Sequence, residues 1–151
     1  MRAPQRRPRR QRPLLPSDRA APTGAAGGGW QFASQTGGGA GEGSTLCLPL
    51  PAQATWAGHY RGALQRAVDG AVAHGAQTLV VSLGTDALRG DPVAVPGAGM
   101  ALEVADFEAV GAELRRAGVP TVFVQEGGYD LGRAGKAVAA ALRGFCAPPR
   151  A

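Results

Sequence analysis

The chain has 151 residues, of which 44% are hydrophobic and 5% aromatic, and its formal net charge at pH 7 is +5. This length allows one domain with a buried core. Seven arginines lie within residues 1–19, where Asp18 is the single acid, so the rest of the chain is almost neutral. This near-neutrality argues against nucleic-acid binding by the folded part and leaves non-specific contacts through the arginine-rich arm.

The sequence predicts neither a membrane-spanning segment nor a disulfide framework. The apolar pair Leu14-Leu15 is too short for an export signal or a membrane span. Two cysteines, Cys47 and Cys146, match neither a disulfide scaffold nor zinc-finger spacing. We therefore expect no membrane partner and a cytoplasmic, reducing setting.

The first quarter of the chain differs from the rest in amino-acid composition. Residues 1–36 are rich first in Arg and Pro and then in Gly and Ala, and they contain too few core-forming side chains to order themselves. We expect a disordered segment over 1–36, a folded α/β domain over 37–146 and a short tail over 147–151.

The first predicted elements of the folded part are a short strand and a long helix. Residues 45–48 are a strand candidate that ends before Pro49, because proline does not donate to a sheet ladder. A helix is predicted over 56–74, with Gly75 as its C-cap. Its apolar side chains recur at helical spacing: Tyr60, Ala63, Leu64, Ala67, Val68, Ala71 and Val72.

Two further strand and helix pairs follow along the chain. Strands are predicted over 77–82 and 121–125, and helices over 103–117 and 132–144, with a long loop over 87–101. This alternation predicts an α/β fold with a parallel sheet, flanking helices and right-handed crossovers.

The loops that follow the second and third predicted strands carry the candidate chemistry. They read Ser-Leu-Gly-Thr-Asp at 82–86 and Gln-Glu-Gly-Gly-Tyr-Asp at 125–130. Because parallel strands end at the same edge of a sheet, Asp86 and Tyr129 are expected to face one site. A carboxylate ligand and a phenol donor on one edge are typical of part of a hydrolytic metal site.

These motifs resemble the zinc-dependent deacetylases, a family that includes histone deacetylases and bacterial acetylpolyamine amidohydrolases. The similarity runs from about residue 37 to about residue 145 in four motifs: the Gly-rich turn at 39–43, Leu-Pro-Leu-Pro at 48–51, Ser-Leu-Gly-Thr-Asp-Ala at 82–87 followed by Asp91-Pro92, and the 125–130 loop. The resemblance implies the C-terminal portion of an arginase/deacetylase-like three-layer fold.

The resemblance also implies a reaction and a role for each site residue. The reaction would be zinc-dependent hydrolysis of an N-acetyl amide, with acetyl-lysine or an acetylpolyamine as the acetylated amine substrate. Asp86 would be one zinc ligand, and Tyr129 would be the catalytic residue that donates a hydrogen bond to the oxyanion. Gly127 and Gly128 would leave room for a narrow substrate channel.

The residues taken alone also allow plainer interpretations. Asp86 fits a turn or helix-cap aspartate, and Tyr129 fits an ordinary, partly buried tyrosine. Asp91, with the proline after it, is expected to close the long loop. Glu126 and Asp130 are expected to orient backbone or to pair locally.

The chain departs from the family pattern in its histidines. The family takes its other zinc ligands from an Asp-x-His motif and its proton-transfer groups from a His-His pair, and neither motif occurs in this sequence. The two histidines, His59 and His74, lie on the first predicted helix and are expected to face away from the site edge. We therefore expect a fragment that is inactive alone and does not retain zinc.

Two alternatives of other classes remain. Residues 37–43 could form a phosphate-binding glycine loop, but such loops follow a strand and open a helix. Here a predicted disordered segment precedes the glycines and a predicted strand follows them. A non-catalytic α/β interaction module is the stronger alternative. In either case an unpaired sheet edge is expected to promote self-association.

Overall fold

The computed structural model describes residues 33–94 and 99–148. Most of the predicted disordered segment 1–36 and of the predicted tail 147–151 lies outside these residues, so the proposed domain division stays a prediction. The described elements include a 3-10 turn at Gly39–Gly41, a π-helical turn at Trp56–Tyr60, α1 (Arg61–Ala73), β1 (Leu79–Leu83), α2 (Asp106–Arg115), β2 (Thr121–Gln125) and α3 (Ala134–Cys146).

The first helix forms where the apolar stripe predicted it. The π-helical turn that leads into it is capped by the Thr55 hydroxyl, which accepts a hydrogen bond from the Gly58 N–H at 3.3 Å. The chain leaves the helix through Gly75, whose φ of +77° suits a residue without a side chain. The buried side chains of α1 follow helical spacing: Ala63, Leu64, Ala67, Val68 and Ala71.

The sheet consists of β1 and β2, which run parallel and are connected through α2. Leu79 is in register with Thr121, and Leu83 with Gln125. Both strands therefore end at one edge, and the loops that follow them start side by side. This confirms the α/β fold with a parallel sheet and flanking helices.

The two faces of the sheet differ in exposure. On one face Val81 and Leu83 are buried in the core, and Phe123 packs edge-on against Phe145 of α3 with ring centroids 5.0 Å apart. On the other face three valines are exposed: Val80, Val122 and Val124. The described part of the chain thus covers one face of the sheet and leaves an apolar surface on the other.

Helices α2 and α3 approach each other through glycines. A Cβ atom at Gly111 would overlap the carbonyl of Ala141, and a Cβ atom at Gly144 would overlap the carbonyl of Glu108. Only glycine allows backbones this close, so these two positions fix how α3 sits against α2.

The long loop between β1 and α2 is part of the core. Its largest buried side chains are those of Leu88, Met100 and Leu102, which are almost completely buried. Two backbone hydrogen bonds tie its ends together, from Arg89 to the Leu102 carbonyl at 2.9 Å and from Leu102 to the Ala87 carbonyl at 3.1 Å. The residues around Asp86 are therefore held by packing as well as by the strand before them.

The predicted strand over 45–48 is wrong, because these residues belong to no strand in the described part of the chain. Thr45 donates its N–H to the carbonyl of Thr36 at 3.1 Å instead of to β1. Leu48 and Leu50 are buried in the core, so side-chain packing holds this segment without a backbone ladder. Among the described residues no helix is long and apolar enough to cross a membrane.

Candidate active site

The Asp86 carboxylate lies against the loop that carries Tyr129. An ideal Cβ atom at Gly127 would stand 3.2 Å from Asp86 Oδ2, and one at Gly84 would stand 2.6 Å from Asp86 Oδ1. Glycines on both sides therefore make room for the carboxylate. The residues after β1 and β2 meet at one edge of the sheet, as the sequence predicted.

Two glycines determine the backbone conformation of the loop at residues 125–130, called the tyrosine loop below. Gly127 and Gly128 have φ angles of +74° and +95°, which side chains with a Cβ atom rarely adopt. A Cβ atom at Gly128 would also overlap the hydroxyl of Thr85, which is fully buried. The positive φ angles agree with the expectation that this loop needs residues without side chains, whereas the role of the pair in a substrate channel stays a prediction.

Tyr129 is held through its backbone by a buried acid. Asp91 is 3% exposed, and its Oδ2 accepts hydrogen bonds from the N–H groups of Tyr129 at 2.8 Å and Asp130 at 3.3 Å. Its Oδ1 accepts a third from Val93 at 3.0 Å. The sequence suggested that Asp91 closes its own loop, and the Val93 contact agrees with this. The contacts to the tyrosine loop were missed, because no local pattern marks a partner 38 residues away.

A second connection joins the same two loops through Arg133. Its Nε donates to Asp130 Oδ2 at 2.7 Å, and its Nη2 donates to the carbonyl of Arg89 at 2.7 Å. The hydrogen bond from Arg133 is the main cause that holds the pKa of the Asp130 carboxyl below its usual value. The local pairing expected for Asp130 is thus present, and it starts α3.

Glu126 begins the tyrosine loop without entering this network. Its side chain is exposed, and its N–H donates to the carbonyl of Leu83 at 3.3 Å, which extends the pairing of the two strands by one bond. Tyr129 is 50% exposed, so its ring is accessible to a molecule at this edge.

The histidines lie at opposite ends of α1, and both are exposed. His74 precedes β1 and is at the far edge of the sheet from Asp86. His59 lies in the turn that precedes α1, close in sequence to Ala54, whose carbonyl accepts a hydrogen bond from Ala101 at 2.9 Å. His59 is therefore at the end of α1 that adjoins the long loop, and the expected orientation of both histidines away from the site edge stays a prediction.

The described residues do not build a complete zinc site. Catalytic zinc sites use about three protein ligands. No group of three His, Cys, Asp or Glu side chains that could hold a metal occurs among residues 33–94 and 99–148. Asp86 has the right chemistry for one ligand, so the side chains present fit part of such a site and not the whole of it.

Comparisons with known proteins all match this chain to the same family. The model of the Histone deacetylase domain matches residues 28–145. Acetylpolyamine amidohydrolase 2 of Pseudomonas aeruginosa is 34% identical over 114 residues, which are 76% of this chain and 32% of that protein. Acetylpolyamine amidohydrolase of Mycoplana ramosa is 34% identical over 113 residues, covering 75% of this chain and 32% of that protein.

A solved structure agrees with the sequence comparison. The crystal structure of acetylpolyamine aminohydrolase from Burkholderia pseudomallei has a TM-score of 0.69 and 29% identity, over 77% of this chain and 32% of that chain. The chain thus spans about a third of the length of the relatives it matches. Its α/β structure is part of the arginase/deacetylase fold, and the chain belongs to the histone deacetylase family.

Proposed function

We propose that this chain contributes Asp86 and Tyr129 to a zinc-dependent deacetylase site that hydrolyses an N-acetyl amide of acetyl-lysine or an acetylpolyamine. One observation carries the proposal: the Asp86 carboxylate lies 3.2 Å from the Cβ position of Gly127, two residues before Tyr129. The names of the bacterial relatives give acetylpolyamines as their substrates, which supports an acetylated amine here.

Tyr129 has the chemistry to stabilise the tetrahedral intermediate of amide hydrolysis. Its hydroxyl donates a hydrogen bond to the oxyanion and keeps its proton throughout. Removing one such donor typically lowers kcat by a factor of about 10² to 10³. Gly127 and Gly128 precede Tyr129 in the same loop, and in this proposal they line a narrow channel for the acetylated amine.

Zinc belongs to the proposed reaction, but the described residues supply one ligand of the usual set. A single carboxylate in water binds zinc weakly, and metal sites depend on several ligands held by further hydrogen bonds. We therefore propose that this chain alone neither retains zinc nor catalyses the reaction. A cytoplasmic location is part of the same proposal, because the two cysteines of the sequence, Cys47 and Cys146, do not suggest a disulfide framework.

Activity and zinc measurements on the purified chain test the proposal that it is inactive alone. We expect no turnover of an acetyl-lysine peptide or an acetylpolyamine with added zinc, and far less than one zinc per chain after dialysis. Asp86→Ala should leave the zinc content nearly unchanged. Turnover that disappears in Asp86→Ala and in Tyr129→Phe would contradict the proposal, and His59 and His74 would then be the first further ligands to test.

A chimera tests the roles of the two residues. Residues 37–146 would replace the matching segment of the Mycoplana ramosa enzyme, which supplies the remaining two thirds of the protein. We expect Tyr129→Phe to lower kcat about 10²- to 10³-fold and Asp86→Ala to lower the bound zinc. Tyr60→Phe, at the other tyrosine, is the matched control and should change neither. A zinc-loaded, active chimera that tolerates Tyr129→Phe would refute the role of Tyr129.

A non-catalytic interaction module is the second candidate, and one observation favours it. Parallel sheets are normally covered on both faces, yet Val80, Val122 and Val124 are exposed on this one. In the described part of the chain, β1 and β2 each have one unpaired edge. Such a surface would associate with another polypeptide whether or not the site is active.

A further inference from the structure

The Asp91 carboxylate is the most completely buried acid in the described part of the chain, and it lies between two loops. Burying a carboxylate is costly unless hydrogen bonds satisfy its charged oxygens. Three backbone N–H groups do so here, two of them from the tyrosine loop. Bonds of this kind to a charged acceptor are stronger than those between neutral groups.

The tyrosine loop needs such an anchor because of its glycines. Gly127 and Gly128 have more conformational freedom than other residues, so fixing the backbone that follows them costs more entropy. The first N–H after this pair is that of Tyr129, and it donates to Asp91 at 2.8 Å. This hydrogen bond therefore fixes the backbone at the point where the loop would otherwise have the most conformational freedom.

The same acid is rigidly connected to Asp86. Residues 85–91 form two consecutive turns, closed by hydrogen bonds from Leu88 to the Thr85 carbonyl and from Asp91 to the Leu88 carbonyl, both at 3.1 Å. Leu88 between them is completely buried. The distance from the Asp86 carboxylate to the Tyr129 backbone is thus set by one short, packed segment.

We infer that Asp91 is a positioning residue, which holds the Tyr129 backbone at a fixed place relative to Asp86. The catalytic meaning of this position rests on the proposed function, in which Tyr129 is the oxyanion donor. Small displacements of such a donor are costly, because its effect depends on reaching the site where charge develops. The positioning itself is a property of the chain that needs neither zinc nor substrate to be measured.

Fluorine NMR on the full chain tests the inference, because the chain contains two tyrosines. Protein labelled with 3-fluorotyrosine gives one resonance for Tyr129 and one for Tyr60, and Tyr129→Phe assigns them. In Asp91→Ala we expect the Tyr129 resonance to move to the position of an unstructured peptide while the Tyr60 resonance stays in place. Asp91→Asn keeps one carbonyl oxygen and should give a smaller shift in the same direction.

Amide hydrogen exchange provides the second measurement. We expect the Tyr129 and Asp130 amides to exchange at least about tenfold faster in Asp91→Ala, because each loses a bond to a charged acceptor. Asp106→Ala is the matched control: Asp106 Oδ2 also accepts a backbone hydrogen bond, from Glu103 at 2.8 Å, and does not contact the tyrosine loop. It should leave both amides unchanged.

Two results would overturn the inference. Unchanged Tyr129 signals in Asp91→Ala would mean that other contacts hold the loop. The other result is a general effect: in both Asp91 variants the Tyr60 resonance and the exchange of the β1 and β2 amides change as much as the Tyr129 signals. Asp91 would then stabilise the whole fold and not the tyrosine loop in particular. Neither result bears on whether Tyr129 donates to an oxyanion, which the chimera decides separately.

Discussion

Gly128 shows how closely the two loops of the candidate site are fitted together. Its φ of +95° is unfavourable for a residue with a side chain, and its Cβ position is already filled by the Thr85 hydroxyl. Each of these effects alone costs of the order of 1–3 kcal/mol. Any larger residue at position 128 would therefore have both a strained backbone and a side chain that overlaps Thr85.

We predict that Gly128→Ala lowers the free energy of unfolding by at least about 2 kcal/mol, measured by urea denaturation. Gly135→Ala is the control, because no atom lies within 4 Å of its Cβ position and it belongs to α3. That change should stabilise the protein by up to about 1 kcal/mol, since alanine favours a helix over glycine. Equal stability of the two variants would refute the close approach at Gly128.

At the scale of elements, the start of α3 is joined to the long loop through Arg133. Asp130 accepts hydrogen bonds from the N–H groups of Gly132 and Arg133, both at 3.1 Å, and pairs with the Arg133 side chain. A carboxylate at this end of a helix is favoured by the helix dipole. The helix starts two residues later than predicted because these contacts occupy the turn before it.

The lowered pKa of Asp130 predicts how stability depends on pH. A carboxyl whose pKa is lower in the folded state contributes stability above its unfolded pKa, about 3.9. That contribution is lost as the pH falls through the folded value. We therefore expect the stability difference between the wild-type chain and Arg133→Met to be constant from pH 7 to about pH 5 and to shrink below about pH 4.

Urea midpoints at pH 7 and pH 3 check this expectation. Arg143→Met is the matched control, because Arg143 lies in the last turn of the same helix. The stability difference between Arg143→Met and the wild-type chain should not become smaller at pH 3. A difference for Arg133→Met that is equal at both pH values would show that the ion pair with Asp130 contributes nothing to stability.

At the scale of the whole molecule, the exposed valine face is the main feature that the described residues do not cover. It lies on the side of the sheet opposite the core, and the valines alternate along the strands with residues that pack on the core, such as Val81, which is buried, and Phe123, which is partly buried. Water contact with such a surface is unfavourable by about 25 cal/mol per Å² of apolar area. The chain alone is therefore expected to cover it by association.

We predict concentration-dependent self-association, measured by light scattering. Replacing Val80, Val122 and Val124 together by threonine keeps the β-branched shape and adds polar groups. It should raise the concentration at which association begins at least about tenfold, since covering even one valine side chain is worth roughly 1.5 kcal/mol. Val93→Thr, at an exposed valine in the long loop, should change little. A monodisperse wild-type monomer at high concentration would contradict the prediction.

The sequence by itself predicted the helices α1, α2 and α3, the strands β1 and β2, and the edge on which the candidate site lies. Apolar spacing predicts α1 because one face of a helix must be buried, and Gly75 marks its C-terminal end. The strand before Asp86 and the strand before Tyr129 are separated by one helix, which makes them parallel. Parallel strands end at the same edge, so the two residues were placed together without coordinates.

The tertiary structure alone decided which distant groups meet. The contact of Asp91 with Tyr129 and the burial of Leu88 and Met100 depend on how the long loop folds back, and no periodic pattern encodes that. Residues 45–48 have the composition of a strand but lie outside the described sheet, and Leu48 packs into the core instead. Local patterns state what a segment can form, whereas its long-range neighbours determine what it does form.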